Sequence, residues 1–483
     1  MRLGSRFLLA WCCVGFLAGI GAAQDRQDRS REEELETLIR ELKAEVEQLK
    51  NRVNQLEGRG AGGETQQRIQ ELEKSVENIK KEQPSPEAIA KFNKWAGDSL
   101  TMRPFWKDGL RFESNDGSVK LKIGGRIQTD AAFFAENGDL ERRLGGDFED
   151  GVEFRRARIY LEGDIRGGIE FKAQYDFAEG DPEFKDVFIG FTDLPYVGNL
   201  RIGQFKEPFS LEELTSSNYI TFMERSLANA FSPARQVGVM AYDTFCSDRM
   251  TGSFGVFRSS DDFGRGAGDH NYHLTARLTG LPWYEEEGRK LVHLGLAYSY
   301  QEYEDPIRYS SRPEAHLAPR LVDTGNVLAD HGDLIGTEAA LVYGPFSLQA
   351  EVMHAALNGE GAFAGDPDFW GGYVQAGYFL TGEHRPYNQE FGIFDRVKPL
   401  HNFREDDGWG AWEVATRYSH LDLGDGSFRG GRLRELTLGL NWYLNPSVRV
   451  MWNYGYANST HSGALFSHGG DVSIFQTRVQ IAF

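Results

Sequence analysis

The stretch Val119-Lys120-Leu121-Lys122-Ile123-Gly124-Gly125-Arg126-Ile127-Gln128-Thr129-Asp130-Ala131-Ala132-Phe133 decides the fold. Its odd positions are mostly apolar (Val119, Leu121, Ile123, Ile127, Ala131, Phe133), and its even ones include Lys120, Lys122, Arg126, Gln128 and Asp130. Successive side chains of an extended chain point to opposite faces, so this segment is a strand with one oily and one charged face. Ile169, Phe171, Ala173, Tyr175 and Phe177 repeat the pattern against Glu170, Lys172, Gln174 and Asp176; Leu436, Leu438, Leu440 and Trp442 repeat it near the end of the chain.

A soluble sandwich also alternates, so strand length and connections decide between the two. Many of these segments run to ten or more residues, which suits tilted membrane strands of about 9–11 residues better than sandwich strands of about 5–6. About sixteen such segments follow one another, joined alternately by short turns, as at Gly344-Pro345 and Asn445-Pro446-Ser447, and by long loops, as at Glu136 to Gly151 and Glu302 to Asp333. The reading is an all-β, transmembrane antiparallel β-barrel over residues 118–483. Thr381 to Asp407 breaks the rule, being long on the side that parity makes periplasmic, and folding into the lumen is one way to place it. Trp412, Tyr418, Trp442, Trp452, Tyr454 and Tyr456 fall on outward parity near strand ends, where aromatic girdles meet lipid headgroups. The last strand ends in Phe483, which resembles the C-terminal signal of bacterial outer-membrane barrels.

Two segments precede the barrel. Residues 1–23 read as a signal peptide, with Arg2 and Arg6 ahead of an apolar stretch and Gly21-Ala22-Ala23 as the cleavage site. Cys12 and Cys13 would leave with it, so Cys246 would remain alone and form no internal disulfide. Residues 24–83 read as an α-helical coiled coil on the periplasmic side, because Leu35, Ile39, Leu42, Val46, Leu49, Val53 and Leu56 recur at alternating steps of four and three. β-Branched residues at one core position and Leu at the other favour two strands. Pro84 and Pro86 end the helix, and residues 84–117 are a linker.

A formal charge of −19 argues against nucleic acid as a partner. Within the barrel, a lysine or arginine facing mid-bilayer lipid costs roughly 2–4 kcal/mol, so basic residues belong in the lumen. Parity places Lys120, Lys122, Arg126, Arg156, Arg158, Lys172, Arg417, Arg449 and Arg478 there, with Glu162, Glu170, Asp176, Glu351 and Glu413 among the acids. Such a wall favours anions; the alternative is that its charges merely wet and stiffen the lumen.

Phe154-Arg155-Arg156-Ala157-Arg158, Gly203-Gln204-Phe205-Lys206-Glu207-Pro208-Phe209 and, most specifically, Ser210 to Arg225 (SLEELTSSNYITFMER) resemble the phosphate-selective porin O/P family. Further matches are Arg312 to His316, Leu380 to Glu383 and Gly408 to Glu413, and the resemblance spans Gly109 to Phe483. It implies a sixteen-stranded homotrimeric barrel with an arginine ladder and inward-folded loops, set in outer-membrane lipid. A trimer conflicts with the two-stranded preference of the coiled coil. The family's functional arginines fall on Arg126, Arg155, Arg156 and Arg225. The loop lysine of its phosphate-binding centre falls on Glu213, an aspartate lining that centre falls on Lys185, and two nearby tyrosines fall on Arg158 and Lys206. The inverted signs weaken a specific expectation of phosphate and leave a general one of small anions. Arg308, Arg312 and Arg320 of a later loop are further candidates for the constriction.

The function expected is passive diffusion of small anions, with no cofactor, metal or covalent chemistry. The chain carries no serine nucleophile motif, and its eleven His have no metal-ligand spacing. The alternative is an envelope tether, with the barrel as anchor and the coiled coil bound to peptidoglycan.

Overall fold

The computed structural model describes residues 101–144, 148–268, 270–359, 365–405, 407–460 and 469–483. The signal peptide and coiled coil read from residues 1–83 lie outside them, as do residues 84–100.

Sixteen strands build the barrel. The first eight are β1 (Lys120–Glu136), β2 (Gly151–Ile165), β3 (Ile169–Asp176), β4 (Glu183–Leu194), β5 (Gly198–Lys206), β6 (Arg235–Phe245), β7 (Met250–Arg258) and β8 (Tyr272–Glu285). The others are β9 (Lys290–Glu302), β10 (Ala329–Tyr343), β11 (Phe346–Gly359), β12 (Asp368–Phe379), β13 (Ala411–Asp425), β14 (Phe428–Asn445), β15 (Val448–Thr460) and β16 (Gly470–Ala482). Each pairs antiparallel with its sequence neighbour, and β16 returns to β1 in the register Ala482↔Arg126 to Val472↔Glu136. Closure leaves none of these sixteen strands as an edge, which a sheet in hydrocarbon requires.

The alternation of β1 is realised side by side: Ile127 and Phe133 are exposed on the outer wall, whereas Arg126, Gln128 and Asp130 are buried inside. Leu278, Leu296, Val352, Leu438 and Val479 continue the exposed apolar band around the barrel, a surface suited to lipid. The indoles of Trp412, Trp442 and Trp452 stack on this outer wall, with ring centroids 5.1 and 6.4 Å apart.

Residues 101–117, read from the sequence as linker, form a hairpin of Met102–Trp106 with Leu110–Ser114 that pairs onto the start of β1. Residues 380–410, between β12 and β13, do enter the lumen. Arg385 reaches Gln349 on β11 at 2.6 Å, Tyr387 bonds His293 on β9 at 2.7 Å, and Arg277 on β8 donates to the Gly392 carbonyl at 2.8 Å.

Candidate functional site

The segment between β5 and β6, residues 207–234, folds inward and defines the passage. It opens with a short helix, α1 (Leu211–Leu214), capped by the Ser210 hydroxyl, which accepts from the Glu213 amide at 3.1 Å. The Leu211 and Glu212 amides at its N-terminus donate to the Glu351 carboxylate on the opposite wall. Phe209, Phe222, Met223, Leu227 and Phe231 are fully buried beneath the loop, each worth roughly 1.5–3 kcal/mol on burial. Phe231 packs on Tyr309 of the β9–β10 loop at 5.0 Å, and Tyr309 on Phe369 of β12 at 6.0 Å. Wall glycines make room for this packing: a Cβ at Gly371 would meet Ala228 at 3.2 Å, and one at Gly439 would meet Phe222 at 3.1 Å. The two loops thus fill the lumen beside β9–β16, and the open space left beside them is a cavity lined on the wall by β1–β8.

Three of the basic residues assigned to the pore wall hold this loop. Arg417 donates to Glu314 at 2.9 Å, to Glu212 at 3.0 Å and to the Glu224 carbonyl at 2.9 Å. Arg478 binds Asp130 at 2.6 Å and Glu224 at 2.7 Å, and Arg449 donates to the Ile220 and Thr221 carbonyls. All three face inward but are buried under the loop rather than bare to the lumen. Glu224 is the point of convergence, since Arg155 also binds it at 3.0 Å and Arg156 approaches to 3.8 Å. Burial opposes ionisation of Glu224, but Arg155, Arg156 and Arg478 outweigh it and hold the carboxyl well below the usual carboxylate range.

Arg155 and Arg156 are sequence neighbours that reach the same carboxylate, which a regular strand forbids. The register between β1 and β2 shifts here, with Gln128 opposite Arg156 and Thr129 opposite Phe154, so Arg155 is the extra residue of a bulge. A second shift, between Ala173 and Tyr175, leaves Lys185 and Asp186 together without ladder partners. Parity therefore missed Asp186, which pairs with Arg235 at 2.7 Å.

The positions that depart from the family pattern are each ion-paired. Glu213 lies between Lys206 and Arg225, 3.0 Å from each. Arg158 pairs with Asp176 at 2.6 Å, and Lys185 with Glu183. Arg126 differs: it donates to the Ser217 hydroxyl at 2.6 Å, its Nε has no hydrogen-bond partner, and among the described residues no carboxylate forms an ion pair with it. Arg308 does not reach the constriction but pairs with Asp323 within its own loop, Arg312 donates to the His316 carbonyl, and Arg320 is exposed.

On one side of the loop lies a cavity of about 770 Å³. Lys120, Lys122 and Lys172 line one wall; Lys122 and Lys172 share Glu162 at 3.4 and 3.0 Å, while Lys120 is exposed. Its lining carries seven basic and seven acidic side chains, so any selectivity here comes from their distribution and not from their sum. Sequence reasoning also missed Arg201, Arg277, Arg385 and Arg396. Arg396 donates to Tyr219 on the loop and to Asp108 in the N-terminal hairpin turn, both at 3.1 Å.

Residues 121–483 match the family described as phosphate-selective porin O and P. The chain belongs to that family. It is 28% identical to Porin O of Pseudomonas aeruginosa over 416 residues, which cover 78% of this chain and 91% of that protein. It is 30% identical to an uncharacterized protein of Caulobacter vibrioides over 395 residues, covering 78% and 76%. Among solved structures, OmpT of Vibrio cholerae with loop L8 deleted superposes with a TM-score of 0.47 at 12% identity, covering 76% of this chain and all of that one. Salmonella typhi OmpF in complex with daunomycin does so with a TM-score of 0.45 at 13% identity, covering 79% and 100%. Membership of that family makes the protein a porin, a channel of the outer membrane.

Proposed function

We propose that this porin passes small anions by passive diffusion, phosphate among them but not singled out. Arg126 carries the reading: a guanidinium beside the loop with no carboxylate ion pair among the described residues, whereas its neighbours Arg158 and Arg235 are each paired with an aspartate. In a narrow low-dielectric passage such uncompensated charge lowers the barrier for anions and raises it for cations. Glu213, held between Lys206 and Arg225, puts a negative charge where the family pattern has a lysine, and so weakens any preference for a multiply charged ion. The reading extends to a homotrimer, to export by residues 1–23, and to a periplasmic coiled coil over residues 24–83 reaching toward peptidoglycan.

The test is the reversal potential of single channels in a potassium chloride gradient, with phosphate added as competitor. Anion selectivity with shallow phosphate block is expected; a cation-selective channel, or none, refutes the proposal. Glu213→Lys should deepen phosphate block and increase anion preference, because Lys206 and Arg225 lose their counter-charge. Glu224→Gln should act in the same direction by freeing charge on Arg155, Arg156 and Arg478 at nearly constant volume. An unchanged reversal potential in both variants would mean that these groups do not face the permeating ion.

A further inference from the structure

Next to its lysines the cavity wall carries an apolar patch, with Phe188 the cross-strand neighbour of Lys172, and a water-filled lumen does not call for one. Phe188 on β4, Phe205 on β5, Met240 and Tyr242 on β6 and Phe257 on β7 all turn inward, and Phe391 of the inserted segment packs against them. On these strands the outward residues, such as Ile189, Ile202, Val239 and Phe254, are apolar as well. Phe205 and Phe257 are core to the patch, whereas Phe188 and Phe391 are only half-buried and border the cavity.

Arg201 sits over this patch. Its guanidinium is 4.1 Å from the Phe188 ring, 5.0 Å from Tyr242 and 5.8 Å from Phe391. Glu170 at 2.9 Å and the Tyr242 hydroxyl at 3.2 Å hold it there. Beside the patch, Lys122 and Lys172 share the one carboxylate of Glu162 and lie over the Tyr160 ring at 5.1 and 5.0 Å, so these three groups together keep a positive charge. Hydrated inorganic ions would use the lysines and gain nothing from the aromatic wall.

We propose that this cavity is a binding subsite for organic anions with a flat apolar body, with aromatic carboxylates as the class. The ring stacks against Phe188 and Phe391, where offset and edge contacts add to burial, and the carboxylate reaches Lys122 and Lys172. Glu390 and Asp164 also border the cavity, Glu390 within electrostatic range of Glu170, Asp164 and Arg201, and these acids orient the carboxylate away from themselves. A volume of about 770 Å³ accommodates a single-ring acid with part of its hydration, so binding stays weak enough for release into the periplasm. The inference rests on the reading of the chain as an anion-passing porin.

The full-length protein in planar bilayers tests it, with benzoate, acetate and phosphate each titrated against the chloride current. Benzoate should half-block at a concentration about tenfold below acetate, which carries the same charge without the ring. In Phe391→Ala that ratio should fall toward one; the residue lies outside the barrel ladder, so the strands keep their pairing. In Lys122→Gln with Lys172→Gln, block by benzoate and by phosphate should weaken together. Equal block by benzoate and acetate in the unaltered protein overturns the subsite while the chloride reversal potential still reports on the porin reading. A benzoate preference that survives Phe391→Ala and Phe188→Leu places binding elsewhere and also overturns it. The comparison within the unaltered protein stands whether or not a variant folds.

Discussion

Arg417→Ala is expected to release both inward-folded loops while leaving the barrel closed. Arg417 is fully buried and ties together groups far apart in the chain, Glu212 and the Glu224 carbonyl from the β5–β6 loop and Glu314 from the β9–β10 loop. Glu314 itself accepts from the Ser419 and Thr437 hydroxyls, and its amide donates to Glu435. Deleting the guanidinium leaves Glu212 and Glu314 buried without their cation, a loss of about 3–5 kcal/mol for a broken buried pair. The ladder bonds of β13 are backbone and stay, so heat-modifiable mobility in detergent should persist. Larger, noisier single-channel currents and new protease cleavage within residues 207–234 are the expected readings. Arg417→Lys should fall between, because an ammonium cannot span the carboxylates as a planar fork does. Quiet channels of unaltered conductance in Arg417→Ala would show that the apolar underside of the loop, Arg449 and Arg478 suffice to hold it.

Why the barrel was legible in the sequence and the constriction only in part follows from the range of the interactions. Side-chain alternation is set by the backbone within a few residues, so Val119 to Phe133 announces both faces of β1 unaided. The assignment of Arg417, Arg449 and Arg478 to the inner face rests on the same rule. What parity cannot see is the partner: Glu314 lies 103 residues from Arg417, and Asp130 lies 348 from Arg478. Charges that look like a bare ladder in sequence are therefore divided between those that anchor loops and those that face the passage. Bulges defeat parity in a second way. A one-residue register shift turns Arg155 and Arg156 to the same side, and again Lys185 and Asp186, with no local signal beyond two adjacent polar residues. The apolar lumen patch was hidden for a third reason. A strand with apolar residues on both faces reads as buried, and β4 to β7 do not declare which face is wet.

Gly125→Leu is expected to prevent efficient closure of the barrel. The seam between the last strand and the first ends at Gly125, whose amide donates to the Phe483 carbonyl at 2.7 Å and whose carbonyl accepts from the Phe483 amide at 3.0 Å. A Cβ at this position would stand 2.7 Å from the Arg158 carbonyl oxygen and 2.8 Å from the Phe483 ring. The neighbouring Gly124 is equally confined, its Cβ falling 2.3 Å from the Tyr160 ring and 2.6 Å from the Phe483 carbonyl oxygen. The aromatic ring could swing away, but the Arg158 carbonyl belongs to the ladder with β2 and cannot move without opening it. Overpacking of about 1–3 kcal/mol, plus about 1 kcal/mol for each terminal hydrogen bond lost, falls on the step that turns a sheet into a barrel. The yield of heat-modifiable protein on refolding into lipid vesicles should drop severalfold for Gly125→Leu and less for Gly125→Ala. A second change, Phe483→Ala, should recover part of the yield in Gly125→Leu by removing the ring that collides with the new side chain, while lowering the yield when made alone. If Gly125→Leu refolds as well as the unaltered chain, the seam must tolerate a shifted C-terminus, and closure would then rest on the pairs from Ile127↔Ile481 onward.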